Sequence, residues 1–292
     1  MSMLRSLQSG ISGLKGFQTE LDVVGNNIAN VNTTGFKKSR ISFADAMNDT
    51  LSHAQKSQNG EQVGLGTNVG AIDTLHTNGV VNRTSNPLDV AINGSGYFIL
   101  SSPDHPSTDP NLFTRDGSFH LNNNGFLVNA NGLFVQGRLR DSITGEVVPP
   151  FGSTVLLDNI KLPKQADLLG DNSGKKLIVS SVSISDDGIV RYRLTGDDED
   201  HEAGPIALAR FPNPQGLEKM GNNIYQDNAA SGDDLYDLNT EKKIIAGALE
   251  ASNVDLTDEM TELINAQRAY QSNARVITSA DQILQELVQL KR

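Results

Sequence analysis

At 292 residues the chain has room for one large or two ordinary domains with a buried core, yet 37% hydrophobic residues and a mean hydropathy of -0.33 keep much of it polar. Its 24 basic against 35 acidic residues give a net charge of -11 with no basic cluster, which argues against nucleic acid and anionic membrane as partners. Cysteine is absent and the five histidines, His53, His76, His105, His120 and His201, form no i, i+4 pair, so neither a disulfide framework nor a metal or cofactor site is expected.

The first element is a helix. From the N-terminus the apolar residues run Leu4, Leu7, Ile11, Leu14, Phe17, Leu21, Val24 and Ile28 in steps of three and four, one continuous helical stripe. A stripe that long needs cover, so these eight positions are expected to pack against other helices, including those of further copies. The same N-terminus lacks the apolar run of a cleaved signal peptide, and no segment has the roughly 18 apolar residues of a membrane span. The chain is therefore expected to stay in the cytoplasm or to leave by a route that reads no cleaved signal, without inserting in the membrane.

The helix runs into "LDVVGNNIANVNTTGFKK", residues 21–38, which fills with poor helix formers. Asn26, Asn27 and Asn30 would form a polar edge on its last turns, where amides that donate and accept suit contacts with neighbouring subunits. Gly35 is expected to end the helix, since glycine tolerates left-handed backbone. Residues 47–66, rich in Gln, Asn and Ser, read as a flexible or extended linker. Within "VGLGTNVG" the glycines miss a phosphate-loop spacing and lack its strand-loop-helix context, so a turn is expected.

Residues 67–249 read as a β-rich domain. "DVAINGSGYFIL" suggests a hairpin around Asn93-Gly94, and Asp116-Gly117, Asn124-Gly125, Asn131-Gly132 and Asp187-Gly188 repeat the device, which predicts an antiparallel sheet, sandwich or barrel. Residues 140–204 match no motif and are taken as a small insertion, with "GDDEDHE" at 196–202 as a solvated charge run in a loop. No nucleophile or metal-hydrolase motif occurs, so catalysis is not expected.

The chain closes on a second long helix. After Asp255 or Thr257 as N-cap, Leu256, Met260, Leu263, Tyr270, Ala274, Ile277, Leu284 and Val288 follow near a 3-4 repeat and are expected to pack between subunits. The fold class is thus α+β: terminal helices at 1–46 and 250–292 pair as a coiled coil, with a mainly antiparallel β domain between them.

The N-terminal motif, "NPLDVAINGSGYFIL", "FTRDGSFHLNNNGFLV" and the C-terminal "GALEASNVDLTDEMTELINAQRAYQSNARVITSADQILQELVQL" together resemble the bacterial flagellar rod and hook proteins. The resemblance covers residues 1 to about 140 and 205–292. It implies a structural subunit, not an enzyme, whose terminal helices line a tubular homopolymer while the β domain forms the next shell. It further implies passage through the flagellar export apparatus and contacts with the distal rod, hook cap and hook-filament junction proteins. Among family members the chain looks most like a short hook protein, a flexible joint, with the distal rod, a rigid drive shaft, as the alternative. A secreted β-rich enzyme and a cell-surface binding module are the competing classes.

Overall fold

The structure, a computed structural model, describes residues 2–52, 60–102, 112–138, 157–162, 179–195, 200–232, 235–237 and 243–290. It divides into two compact units, one of Met1–Val31, Lys37–Leu75 and Val254–Arg292, the other of Asn32–Phe36 and His76–Asn253.

The helical unit holds α1 (Ser2–Ala29), then strands β1 (Ser39–Asp45), β2 (Asn48–Ser52), β3 (Glu61–Gly64) and β4 (Thr67–Thr74), and finally α2 (Leu256–Leu290). Strands β1 and β4 pair antiparallel, as do β2 and β3. The segment 47–66, expected as a flexible or extended linker, carries paired strands at Asn48–Ser52 and Glu61–Gly64. Its polar composition hid them because their ladder bonds are made by backbone, and β3 and β4 are largely exposed. Gly66, at φ 113°, lies so close to α1 that a Cβ there would stand 2.1 Å from Ser12 Oγ.

The helices run antiparallel. A Cβ on Gly10 would sit 3.2 Å from Ile277, one on Gly13 would sit 2.7 Å from Asn273 Nδ2, and Asn27 bonds Glu259 at 3.0 Å. Asp255 is the cap of α2: its carboxylate accepts from Thr257 N at 2.8 Å, and those amides hold its pKa below the ordinary aspartate value.

In the β unit the strand Tyr97–Ser101 is the axis. It pairs antiparallel with Leu112–Thr114, Phe134–Arg138 and Leu208–Arg210, and the sheet extends through Ile224–Gln226 to Glu218–Gly221 on one side and through Leu127–Val128 to His120–Leu121 on the other. Both faces of the axis are buried, as strand alternation requires: Phe98 and Leu100 enter a core with Val90, Ile92, Phe119, Leu127 and Val135, while Tyr97 and Ile99 enter another with Phe113, Phe211 and Tyr225. Three expected hairpins form, over Asn124-Gly125, Asn131-Gly132 and Asp187-Gly188. Two do not. Val90–Ile92 pairs with Ile244–Ala246 instead of Tyr97–Ser101, and Asp116-Gly117 approaches Val90, whose backbone nitrogen bonds Gly117 O at 3.1 Å.

Within 140–204, Val179–Ile184, Ile189–Leu194 and Asp200–Pro205 form a three-stranded antiparallel sheet whose Ile184 and Val190 join the same core as Phe98. Of the charge run at 196–202, residues 196–199 lie outside the described residues. Asp200 and Glu202 stand in a strand and pair with Arg193 and Arg191, at 2.8 and 3.5 Å, so this part is laddered and not a loop.

Candidate functional site

The face between α1 and α2 follows a seven-residue spacing. On α2 Glu259, Ala266 and Ala280 are buried, Asn273 lies against Gly13, and these four positions are seven apart; Leu263, Ile277 and Leu284, half-buried, belong to the same stripe. On α1 Gly10 and Gly13 face Ile277 and Asn273, Glu20 faces Glu262 and Asn27 bonds Glu259, while Phe17 packs on Phe43 of β1. Small residues on both helices permit their close approach. An apolar count overlooks Glu259, Ala266, Asn273 and Ala280 because two are polar and two are alanine; a strict repeat of seven, counted without regard to hydrophobicity, finds them.

Of the expected N-terminal packing residues, Val24 is buried, Leu7, Leu14, Phe17, Leu21 and Ile28 are half-buried, and Ile11 is 47% exposed. The side chain of Leu4 lies outside the described residues. On α2 Leu263, Ala274, Ile277 and Leu284 are half-buried, while Leu256, Met260, Tyr270 and Val288 are exposed, joined by Ile264, Val276 and Ile283. The helix pair thus leaves a large share of its apolar side chains uncovered.

One end of the pair is locked by polar groups. The Asn27 side chain, 2% exposed, donates to Ser39 O at 2.8 Å and to Glu259 Oε2 at 3.0 Å, and accepts from Ser39 N at 3.0 Å. Lys38 Nζ donates to Glu259 Oε1 at 3.1 Å, so the buried carboxylate is held by an amide and an ammonium. Expected as a subunit contact, Asn27 is instead an internal bracket, buried because α2 folds back over it. Asn30 donates to Asn26 O at 2.9 Å and to Asn26 Oδ1 at 2.8 Å, closing the last turn of α1, with Asn26 exposed. A like-charge pair opposes this lock: burial and then Glu262 push the Glu20 carboxyl above the ordinary glutamate value.

Gly35 does not end the helix, which stops at Ala29. It lies in the β unit, with Asn32–Phe36, at φ 68°, as a left-handed residue. Its N–H donates to Glu250 O at 2.8 Å, and a Cβ would stand 2.7 Å from Arg115 C and Asp116 N, so backbone packs on backbone there. Thr34 Oγ1 donates to Asp116 Oδ1 at 3.0 Å and Thr34 O accepts from Asn223 Nδ2 at 2.7 Å. Lys219, its pKa lowered by burial, lies over the Phe36 ring. Beneath this dock Arg115 pairs with Glu250 at 2.9 Å, both almost fully buried, and Arg115 Nη2 donates to Gly94 O at 2.6 Å while Glu250 Oε1 accepts from Gly79 N at 2.8 Å. Sequence reading missed Arg115, Glu250 and Asn223, which lie far from residue 35 in the chain.

Among the described residues no group of three or more His, Asp or Glu could hold a metal ion, and no helix is long and apolar enough to cross a membrane. The described residues present a partly covered helix pair and a braced β unit.

Three family models match parts of the chain. Residues 7–37 match the family described as flagella basal body rod protein, residues 91–192 the flagellar hook protein FlgE/F/G D1 domain, and residues 245–290 the flagellar basal body rod FlgEFG protein C-terminal region. The flagellar basal-body rod protein FlgG of Bacillus subtilis is 41% identical over 301 residues, covering 99% of this chain and 100% of the relative. That of Borreliella burgdorferi is 33% identical with the same coverage, while the flagellar hook protein FlgE of the same organism is 29% identical over 447 residues, covering 99% of this chain and 100% of that protein. With its two terminal helices, its antiparallel body and end-to-end matches of this kind, the chain belongs to the flagellar rod and hook family of structural axial proteins.

Proposed function

We propose that the chain is a distal-rod subunit of the flagellar basal body, a component of a rigid drive shaft, and not the short hook protein that the sequence resemblance first suggests. The carrying observation is the manner of alignment. The rod relatives align over about their whole length in 301 and 300 positions, whereas the hook relative needs 447, so the 292 residues of this chain have no counterpart for much of the hook protein. A shaft subunit without that extra material is the simplest match.

In this reading the subunit reaches its place through the flagellar export channel and polymerises with its own copies, in line with other axial proteins of the rod and hook. The helix pair winds as a two-stranded coiled coil, supported by the seven-residue spacing of Glu259, Ala266, Asn273 and Ala280. The subunit-packing face comprises Ile11 with Leu256, Met260, Tyr270 and Val288, whose exposed apolar side chains are supplied with cover by neighbouring copies. A strain lacking the gene tests the assignment. Its basal bodies should carry a rod cut short of the distal part and no hook, and restoring the gene should restore both; a complete rod without a hook would make the chain a hook subunit.

A further inference from the structure

We propose that Asn93 is a site of spontaneous backbone modification, in which the Gly94 amide nitrogen attacks the side-chain carbonyl of Asn93. The sequence has five Asn-Gly pairs, at 59–60, 78–79, 93–94, 124–125 and 131–132, and the structure describes all but the first. An asparagine followed by glycine is the pair best suited to this reaction, because glycine has no side chain to hinder its own nitrogen. The nitrogen must also give up its proton, and a hydrogen bond that holds that proton opposes the attack.

The four described pairs differ in this respect. Gly79 N donates to Glu250 Oε1 at 2.8 Å, Gly125 N to Asn122 O at 3.0 Å and Gly132 N to Asn129 O at 3.0 Å. Gly94 N makes no hydrogen bond among the described residues, and the Asn93 side chain, on an exposed residue, makes none either. There is open space around the glycine: a Cβ at Gly94 would meet nothing within 4 Å. Residues 93–95 form an irregular bend that is fixed at Asn93 N, which donates to Lys243 O at 2.6 Å, and at Gly94 O, whereas the attacking Gly94 nitrogen and the Asn93 side chain are themselves unbonded among the described residues.

The chemistry balances with water as the only co-reactant. A bond forms between Gly94 N and Asn93 Cγ, the Cγ–Nδ2 bond breaks, and the side-chain nitrogen leaves as ammonia with the glycine proton. The resulting five-membered imide then adds water at one of its two carbonyls. Opening at the side-chain carbonyl leaves an aspartyl residue; opening at the main-chain carbonyl leaves an isoaspartyl link with an extra backbone methylene. Either product places a carboxylate beside Gly94, whose carbonyl oxygen is bonded to Arg115 Nη2. The isoaspartyl product also shifts that carbonyl, so the change reaches the Arg115–Glu250 pair on which residues 32–36 rest.

The test is peptide mapping of the purified full-length chain during prolonged incubation at neutral pH, with a urea-denatured sample as the reference clock. In the folded chain conversion at Asn93 should run about tenfold ahead of that at Asn78, Asn124 and Asn131, the factor that one backbone hydrogen bond of about 1.4 kcal/mol provides. Both aspartyl and isoaspartyl products should appear, and Asn93→Gln should remove the signal from that peptide only. Equal rates at the four sites, or an Asn93 that keeps its amide while the denatured chain has lost half of its own there, would overturn the proposal.

Discussion

At the residue scale the two halves of "NNIANVNTTGF" have separate tasks. Asn27 bonds Ser39 and Glu259 within the helical unit, so Asn27→Ala removes the side-chain amide from Ser39 N, Ser39 O and Glu259 Oε2, while Lys38 still pairs with Glu259 Oε1. A loss of about 2 to 3 kcal/mol is expected, read as a lower melting temperature of the monomer. Gly35→Ala meets both a left-handed φ and a backbone contact at 2.7 Å, and should cost about 2 kcal/mol or more in the β unit. Arg115→Met strands the Glu250 carboxylate and should cost about 3 to 5 kcal/mol by the same measure. The left-handed backbone of Gly35 was legible from its residue type. What it rests on was not, because Arg115 and Glu250 come from distant strands and only the finished sheet brings them under it.

At the element scale, α1 and α2 were legible from their three-four periodicity, and so were the hairpins whose Asn-Gly or Asp-Gly pair joins strands adjacent in space. Val90–Ile92 misleads because its partner, Ile244–Ala246, lies far along the chain and local turn chemistry carries no record of it. Strands β2 and β3 were illegible for another reason, since exposed strands lack an apolar alternation. The buried stripe on α2 was hidden by Glu259 and Asn273, while exposed Leu256 and Met260 drew the apolar count to another face.

The helix pair also has an acid dependence with a definite sign. The folded chain binds the Glu20 proton more tightly than the unfolded chain does, so this group favours folding at low pH and that contribution fades as pH rises through its raised pKa. Asp255 runs oppositely: its pKa is lowered, so its contribution is present above the ordinary aspartate value and is lost as pH falls through the lowered one. Replacing Glu262 by Gln removes the like charge facing Glu20. Thermal unfolding of that variant should show a higher melting temperature near neutral pH and a flatter dependence across the mildly acidic range; an unchanged profile would mean that the two carboxylates do not interact.

At the scale of the whole molecule, stability and assembly should separate. Ile11→Ser and Met260→Ser alter exposed positions, so monomer stability should stay within about 0.5 kcal/mol of the parent. Polymer formation should nevertheless fall sharply, as followed by sedimentation, whereas Asn27→Ala should weaken both together. The resemblance read from the terminal segments reached the rod and hook family. The relatives differ in the length over which they align, 301 positions for the rod protein of Bacillus subtilis and 447 for the hook protein of Borreliella burgdorferi, a difference that the terminal segments do not carry. Electron microscopy of basal bodies isolated from a strain lacking this chain tests the assignment most directly. The expected result is a rod that ends before its distal part and bears no hook; a full-length rod with only the hook missing would contradict it.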